Sequence, residues 1–220
     1  GNNMKHILQI IIATLLLFPS SGFAVGKEIA VEENYNKVAA DVLVEKGFQH
    51  ALNGKFDDAI EAYTAAIALD QNFAMAYNYR GHIYYLQRKY EEAIEDFNKA
   101  VAIDPNDSSH YISRGEVYID KRQYDKAIED FNKAISLDPK NAQTYIDRGY
   151  AYDKKGEQDT AIEDFNKAAS IDPGIASIYT NRGTAYFNKA DMPHAATDFQ
   201  KACNMKINSA CNMLKGLDQR

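Results

Sequence analysis

Tryptophan is absent from this sequence, and cysteine occurs only twice, at Cys203 and Cys211, so at most one internal disulfide can form. Positive charge is not in excess: 25 Lys and Arg stand against 31 Asp and Glu, a formal net charge of −6. That balance argues against a general binder of phosphate backbones. No nucleophile elbow, Gly-rich phosphate loop or zincin motif is present, and His6, His50, His82, His110 and His194 are too scattered for a metal site. Catalysis, metal binding and cofactor binding are therefore not expected. What is present is 45% hydrophobic residues, 25% charged residues and 15 tyrosines, enough for a packed soluble core with amphipathic rings to spare.

The beginning of the chain reads differently from the rest. Gly1 to Asn3 precede Met4 and read as a cloning remnant or an upstream extension; Lys5 and His6 then lead into a largely apolar run, Ile7 to Phe18. Gly22 and Ala24 supply the small-x-small pattern of a signal peptidase site, so residues 1–24 are assigned to remnant plus signal peptide, cleaved after Ala24. The run falls short of the roughly 20 residues that span a bilayer, so stable membrane insertion is not expected. Residues 25–39 are a linker or a partial capping helix. The expected location is periplasmic or secreted.

Beyond the leader the sequence repeats itself. The octapeptide AIEDFNKA begins at Ala93, Ala127 and Ala161, at intervals of 34 residues. Alignment on it divides the chain into copies 40–73, 74–107, 108–141, 142–175 and 176–208. Each copy carries Gly in its eighth place (Gly47, Gly81, Gly115, Gly149, Gly183) and Ala in its twentieth and twenty-seventh. The twenty-fourth is aromatic: Tyr63, Phe97, Phe131, Phe165, Phe199. Within one copy, Tyr90, Ala93, Ile94, Phe97, Ala100 and Val101 recur at helical spacing, and Asp104-Pro105 ends the stripe. Each copy is thus a helical hairpin whose apolar face must be buried by its neighbours.

The period and its signature residues resemble the tetratricopeptide repeat, with Tyr77, Tyr111, Tyr145 and Tyr179 replacing the usual Trp of the fourth place and Leu43 standing there in the first copy. The resemblance implies an all-α fold, a right-handed superhelical solenoid of five hairpins, with residues 209–220 as a C-terminal capping helix. It also implies a concave groove lined by the second, fifth, ninth and twelfth places. The candidate partner-binding residues are Phe48, Asn78, His82, Tyr85, Ile112, Glu116, Ile119, Ile146, Tyr150, Asp153 and Phe187. About half of them are expected to be exposed, the others packing between first helices. The clamp by which some members hold a carboxylate terminus is missing, since Val44, Phe48, Ser109 and Ser113 occupy its places.

Arg80, Arg114, Arg148 and Arg182 form a ladder just before the repeat Gly, and Asp96, Asp130, Asp164 and Asp198 accompany them in the same copies. The first copy has Lys46 and Ala62 instead, so Arg and Asp occur together or not at all. That co-occurrence points to structural ion pairs between the helices of a hairpin and not to a ligand clamp.

On one helix, Cys203 and Cys211 would lie roughly 12 Å apart, too far for a disulfide, so a bridge requires a turn near Met205 to Ser209. The segment is similar to the stapled hairpins of exported Sel1-like repeat proteins, and that resemblance implies a Cys203–Cys211 disulfide; two free buried thiols are the alternative. Together these readings describe a non-catalytic scaffold that holds a protein or peptide, in the bacterial envelope, with no nucleic acid as partner. The rival readings are a surface-delivered or host-directed binding protein and an exported hydrolase built on a repeat scaffold.

Overall fold

The computed structural model describes residues 22–217, and side chains from residue 34 onward. The described residues form eleven α-helices and no strand. In chain order they are α1 (Gly22–Leu52), α2 (Phe56–Leu69), α3 (Ala74–Leu86), α4 (Tyr90–Ile103), α5 (Ser108–Asp120), α6 (Tyr124–Leu137), α7 (Ala142–Lys155), α8 (Gln158–Ile171), α9 (Ala176–Asn188), α10 (Met192–Asn204) and α11 (Asn208–Leu217). Each helix packs on the one after it, and each first helix also touches the first helix of the next hairpin. This is an open solenoid of five hairpins closed by a single terminal helix. The stretch from Val25 to Ala39 is helical and runs without a break into the first hairpin. The expected cleavage point after Ala24 falls in the first turn of α1, and the leader up to residue 21 lies outside the described residues.

Close approach of the two helices of a hairpin explains the signature residues. A Cβ built on Gly115 would lie 2.6 Å from Phe131 Cε1, and one on Gly47, Gly81, Gly149 or Gly183 would strike the corresponding ring in the same way. The first helix therefore rests its bare backbone on an aromatic edge. Phe97, Phe131 and Phe165 are fully buried, as are Ala93, Ala127 and Ala161, which let the next helix in. Truncating Phe131 to Ala costs about 3–5 kcal/mol, the usual toll of a large cavity in a tight core.

The turns repeat as faithfully as the core. The fifteenth place of every copy adopts a left-handed conformation, as Gly54, Arg88, Arg122, Gly156 and Ala190. This lets the next residue's N–H return to a carbonyl of the first helix's final turn, as Lys89 N does to Tyr84 O (2.9 Å). Between copies, Asp104 Oδ1 accepts from Asn106 N (3.1 Å), and Asp138 and Asp172 make the same turn. The fourth-place tyrosine then anchors that turn: Tyr111 Oη donates to Pro105 O (3.2 Å) and Tyr179 Oη to Pro173 O (3.1 Å). A phenol thus replaces the indole with a hydrogen bond of its own.

At the far end, Cys203 and Cys211 form a disulfide with a Cα separation of 4.7 Å, and the chain turns between α10 and α11 to allow it. Ala210 of α11 is buried against Tyr179 and Ala202, so the last helix covers the end of the fifth hairpin.

Candidate functional site

The Arg ladder is built into the stack. Arg148 grips Asp164 with two donors (Nε–Oδ2 2.8 Å, Nη2–Oδ1 2.6 Å) and sends its third, Nη1, to Asn132 Oδ1 of the preceding hairpin (2.6 Å). Arg114 does the same with Asp130 and Asn98, Arg182 with Asp198 and Asn166, and Arg80 with Asp96 and Thr64. Each guanidinium also lies 5.5–5.8 Å from the ring of the fourth-place tyrosine of its own helix. With the carboxylates buried and every guanidinium occupied, the ladder offers a ligand nothing. A second, exposed ladder runs between hairpins: Lys121 meets Glu91, Lys155 meets Asp125 and Lys189 meets Asp159.

The first helices line the other face. Of the candidate residues there, Phe48 and Tyr150 are exposed, while His82, Tyr85, Ile112, Glu116, Ile119 and Phe187 are half-buried. Asn78, Ile146 and Asp153 are buried and serve the stack instead of a surface. Asn78 Nδ2 donates to His110 Nδ1 (3.0 Å), joining α3 to α5, and Asp153 Oδ1 accepts from Asn188 Nδ2 (2.9 Å), joining α7 to α9. Ile146 packs in the core of the fourth hairpin. Ser113 Oγ donates to Ser109 O (2.9 Å), which leaves it to accept from His82 Nε2 at 3.0 Å. Burial holds both His82 and His110 below the ordinary imidazole range, so both are neutral and structural.

A cavity of about 330 Å³ opens in the middle of this face, lined by Tyr85, Glu116, Ile119, Asp120, Phe131, Asp147 and Tyr150. It joins three hairpins: Tyr85 comes from α3, Glu116, Ile119 and Asp120 from α5, and Asp147 and Tyr150 from α7. Tyr85 Oη donates to Asp120 Oδ2 (3.0 Å) and Gln143 Nε2 to Asp147 Oδ1 (2.8 Å), whereas Asp147 Oδ2 is buried without a hydrogen-bond partner. Burial first, then the charges of Asp147 and Asp120, pushes the Glu116 carboxyl up to about 7. Burial pushes Asp147 up to about 6 against the pull of Gln143. Asp120 and Asp147 were not legible as site residues, because they stand in the thirteenth and sixth places. The available signal was that the sixth place changes in every copy, as Glu45, Tyr79, Ser113, Asp147 and Asn181.

Two further hollows flank it. One of about 300 Å³ lies between the first two hairpins, lined by Asp41, Val44, Glu45, Phe48, Phe73, Met75 and Tyr79. The other, of about 330 Å³, is apolar and is framed by Thr184, Phe187, Phe199, Met213 and Leu217 near the terminal helix. Among the described residues no three His, Cys, Asp or Glu are arranged to hold a metal ion, and no helix is long and apolar enough to cross a membrane.

These features define a helical-repeat solenoid with a grooved face, and comparison with known proteins gives its family. Models of the tetratricopeptide repeat match residues 52–108 and 97–129, and a TPR repeat model matches residues 115–156 and 149–189. A crystal structure of MamA is 31% identical over 74% of this chain and 96% of that one, with a TM-score of 0.69. MamA from Desulfovibrio magneticus RS-1 is 21% identical over 76% of this chain and 95% of that one (TM-score 0.72), and YrrB, described as a TPR protein with an unusual peptide-binding site, is 23% identical over 86% and 97% (TM-score 0.70). The last two likenesses concern the fold alone. The chain belongs to the tetratricopeptide repeat family. No curated protein sequence gives a significant match.

Proposed function

We propose that this protein is a non-catalytic scaffold whose concave groove holds a segment of another protein, as an adaptor or assembly factor. The observation that carries this reading is the central hollow, where aromatic, aliphatic and carboxylate groups from three consecutive hairpins meet at an open face. Such a mixture of ring contacts and orienting polar groups suits an extended peptide or a partner helix. The two histidines of the middle hairpins are engaged in the stack, His82 by Ser113 and His110 by Asn78.

The reading places the protein in the bacterial envelope. It rests there on the export-like leader from Met4 to Ala24, and the disulfide at Cys203 and Cys211 favours an oxidising compartment. The Sel1-like resemblance of the last hairpin points the same way.

Affinity capture from the exported fraction, run beside a Tyr85→Ala, Tyr150→Ala double variant, tests the binding role. One protein retained by the parent chain and lost by the variant is the expected result. Identical captures with both would remove the groove from the account. Cell fractionation tests the location, with the cytosol as the contrary outcome.

A further inference from the structure

The charges in five of the groove-facing places are of one sign. No Lys or Arg stands in the second, fifth, sixth, ninth or twelfth place of any copy, although the chain holds 25 of them. Asp41, Glu45, Glu116, Asp147 and Asp153 do stand in those places. Lys154, in the thirteenth place that Asp120 holds in the preceding copy, is engaged by Asp153 Oδ2 at 3.4 Å and by the Tyr150 ring at 4.8 Å. Seven of the basic residues are spent in the two ladders.

The hollows concentrate that asymmetry and wall it with rings. In the central one, Glu116, Asp120 and Asp147 face Tyr85, Ile119 and Tyr150, and no cation lies within ion-pair distance of Glu116, Asp120 or Asp147. Asp147 Oδ2 is buried there with no hydrogen-bond donor, an arrangement that costs stability unless something arrives to meet it. The hollow between the first hairpins repeats the chemistry with Asp41 and Glu45 beside Phe48 and Met75. A metal ion does not fit, because the described carboxylates do not converge as ligands. A cationic side chain does: a carboxylate takes its charged head, and tyrosine faces take the head and its aliphatic stem.

Resting on the groove reading above, we infer that the partner segment is basic, and that it seats a Lys or Arg side chain, with an apolar residue beside it, among Glu116, Asp120, Asp147, Tyr85 and Tyr150. The raised carboxyls of Glu116 and Asp147 belong to the same picture: burial raises both, and the charges of Asp147 and Asp120 add to it at Glu116, so a cation seated beside them favours the ionised forms.

Selection of a displayed library of random peptides on the full chain tests this. The enriched peptides are expected to share a Lys or Arg next to an aliphatic or aromatic residue. Their synthetic forms should lose at least about tenfold in affinity to a Glu116→Gln, Asp147→Asn variant, the scale expected when a partly desolvated charge pair loses one partner. Thermal unfolding of that variant checks that it is folded, and Glu116→Gln alone serves if it is not. Enriched peptides that are neutral or acidic, or basic ones indifferent to the carboxamide substitutions, overturn the charge inference. If such peptides still fail on Tyr85→Ala, Tyr150→Ala, the groove reading survives it. If no peptide is enriched, or none responds to either variant, both readings fall.

Discussion

Arg148 of the fourth hairpin donates to Asn132 of the third, Nη1 to Oδ1 at 2.6 Å, while its remaining donors hold Asp164 beneath it. One side chain thereby fastens three helices, α6, α7 and α8, and does so again in each neighbouring repeat. Replacing it tests the ladder. Arg148→Ala leaves a nearly buried Asp164 without its counter-charge and should cost about 3 kcal/mol, the lower end for a broken buried pair because the guanidinium is itself partly exposed. Asn132→Ala should cost only about 1 kcal/mol. Urea unfolding of both variants measures this; equal and negligible losses would mean that the ladder is ornamental.

The contact between Gly115 and Phe131 makes a compensating pair. A methyl group on Gly115 collides with the ring at 2.6 Å, so Gly115→Ala should cost about 1–3 kcal/mol through overpacking. Combined with Phe131→Leu, the two losses should fall short of their sum. Strict additivity in the double-mutant cycle would show that the close approach is not what fixes the glycine.

Three of the five hairpin turns carry a side chain where none is comfortable, at Arg88, Arg122 and Ala190. Arg88 and Arg122 are exposed at φ of 60° and 57°, a conformation that glycine adopts without strain. Arg122→Gly should therefore stabilise the protein by about 1 kcal/mol, and Gly156→Ala, at φ 85°, should destabilise it by a similar amount. A fall in melting temperature for Arg122→Gly would contradict this account of the turn.

Stability and binding should respond oppositely to pH at the central hollow. Glu116 rises from 4.5 to about 7 on folding and Asp147 from 3.8 to about 6, so the folded chain binds more protons than the unfolded one between those limits. The stability these acids confer is complete below their unfolded values and is lost as pH climbs through 6 to 7. His82 and His110 act in the reverse sense, since their lowered values remove stability as pH falls below the ordinary 6.5. Glu116→Gln isolates the carboxylate: it should gain on the parent protein as pH rises from 4.5 to 8, while a basic peptide binds the parent more tightly over the same interval. A pH-independent difference between the two chains would refute the assignment.

The staple at Cys203 and Cys211 closes a loop of only eight residues in sequence, which predicts about 2 kcal/mol from restricted unfolded-state freedom. Its loss in Cys203→Ser, Cys211→Ser should be local. Amide exchange should quicken in α11, Asn208–Leu217, and remain unchanged in the middle hairpins. Uniform acceleration along the chain would point to a global role instead.

The sequence announces whatever is written in every copy. Gly115, Ala127, Phe131 and Ala134 could be placed at a helix contact because the same residue types return every 34 positions. Asn132 returned as well, within the octapeptide, yet its purpose stayed hidden: its partner is Arg148, in the following repeat, and side chains that bridge copies are invisible to an alignment that treats each copy alone. The groove was legible only in outline. Whether Asn78 or Tyr150 faces solvent depends on what the adjacent first helix presents: His110 reaches back to bury the former, and nothing comparable covers the latter. Asp147 stands at a place where no two copies agree, and Asp120 at one where only Leu52 and Leu86 agree, so periodicity had nothing to say about either acid.

The first hairpin has Lys46 and Ala62 where the other four have Arg and Asp, so no guanidinium clasp joins its helices, and the polar ties to the next hairpin are Arg80 to Thr64 and Gln87 to Asp57. The opposite end is held covalently. The two ends of the stack are therefore secured by different means, one by the seating of Gly47 on the Tyr63 ring and the other by a covalent bond.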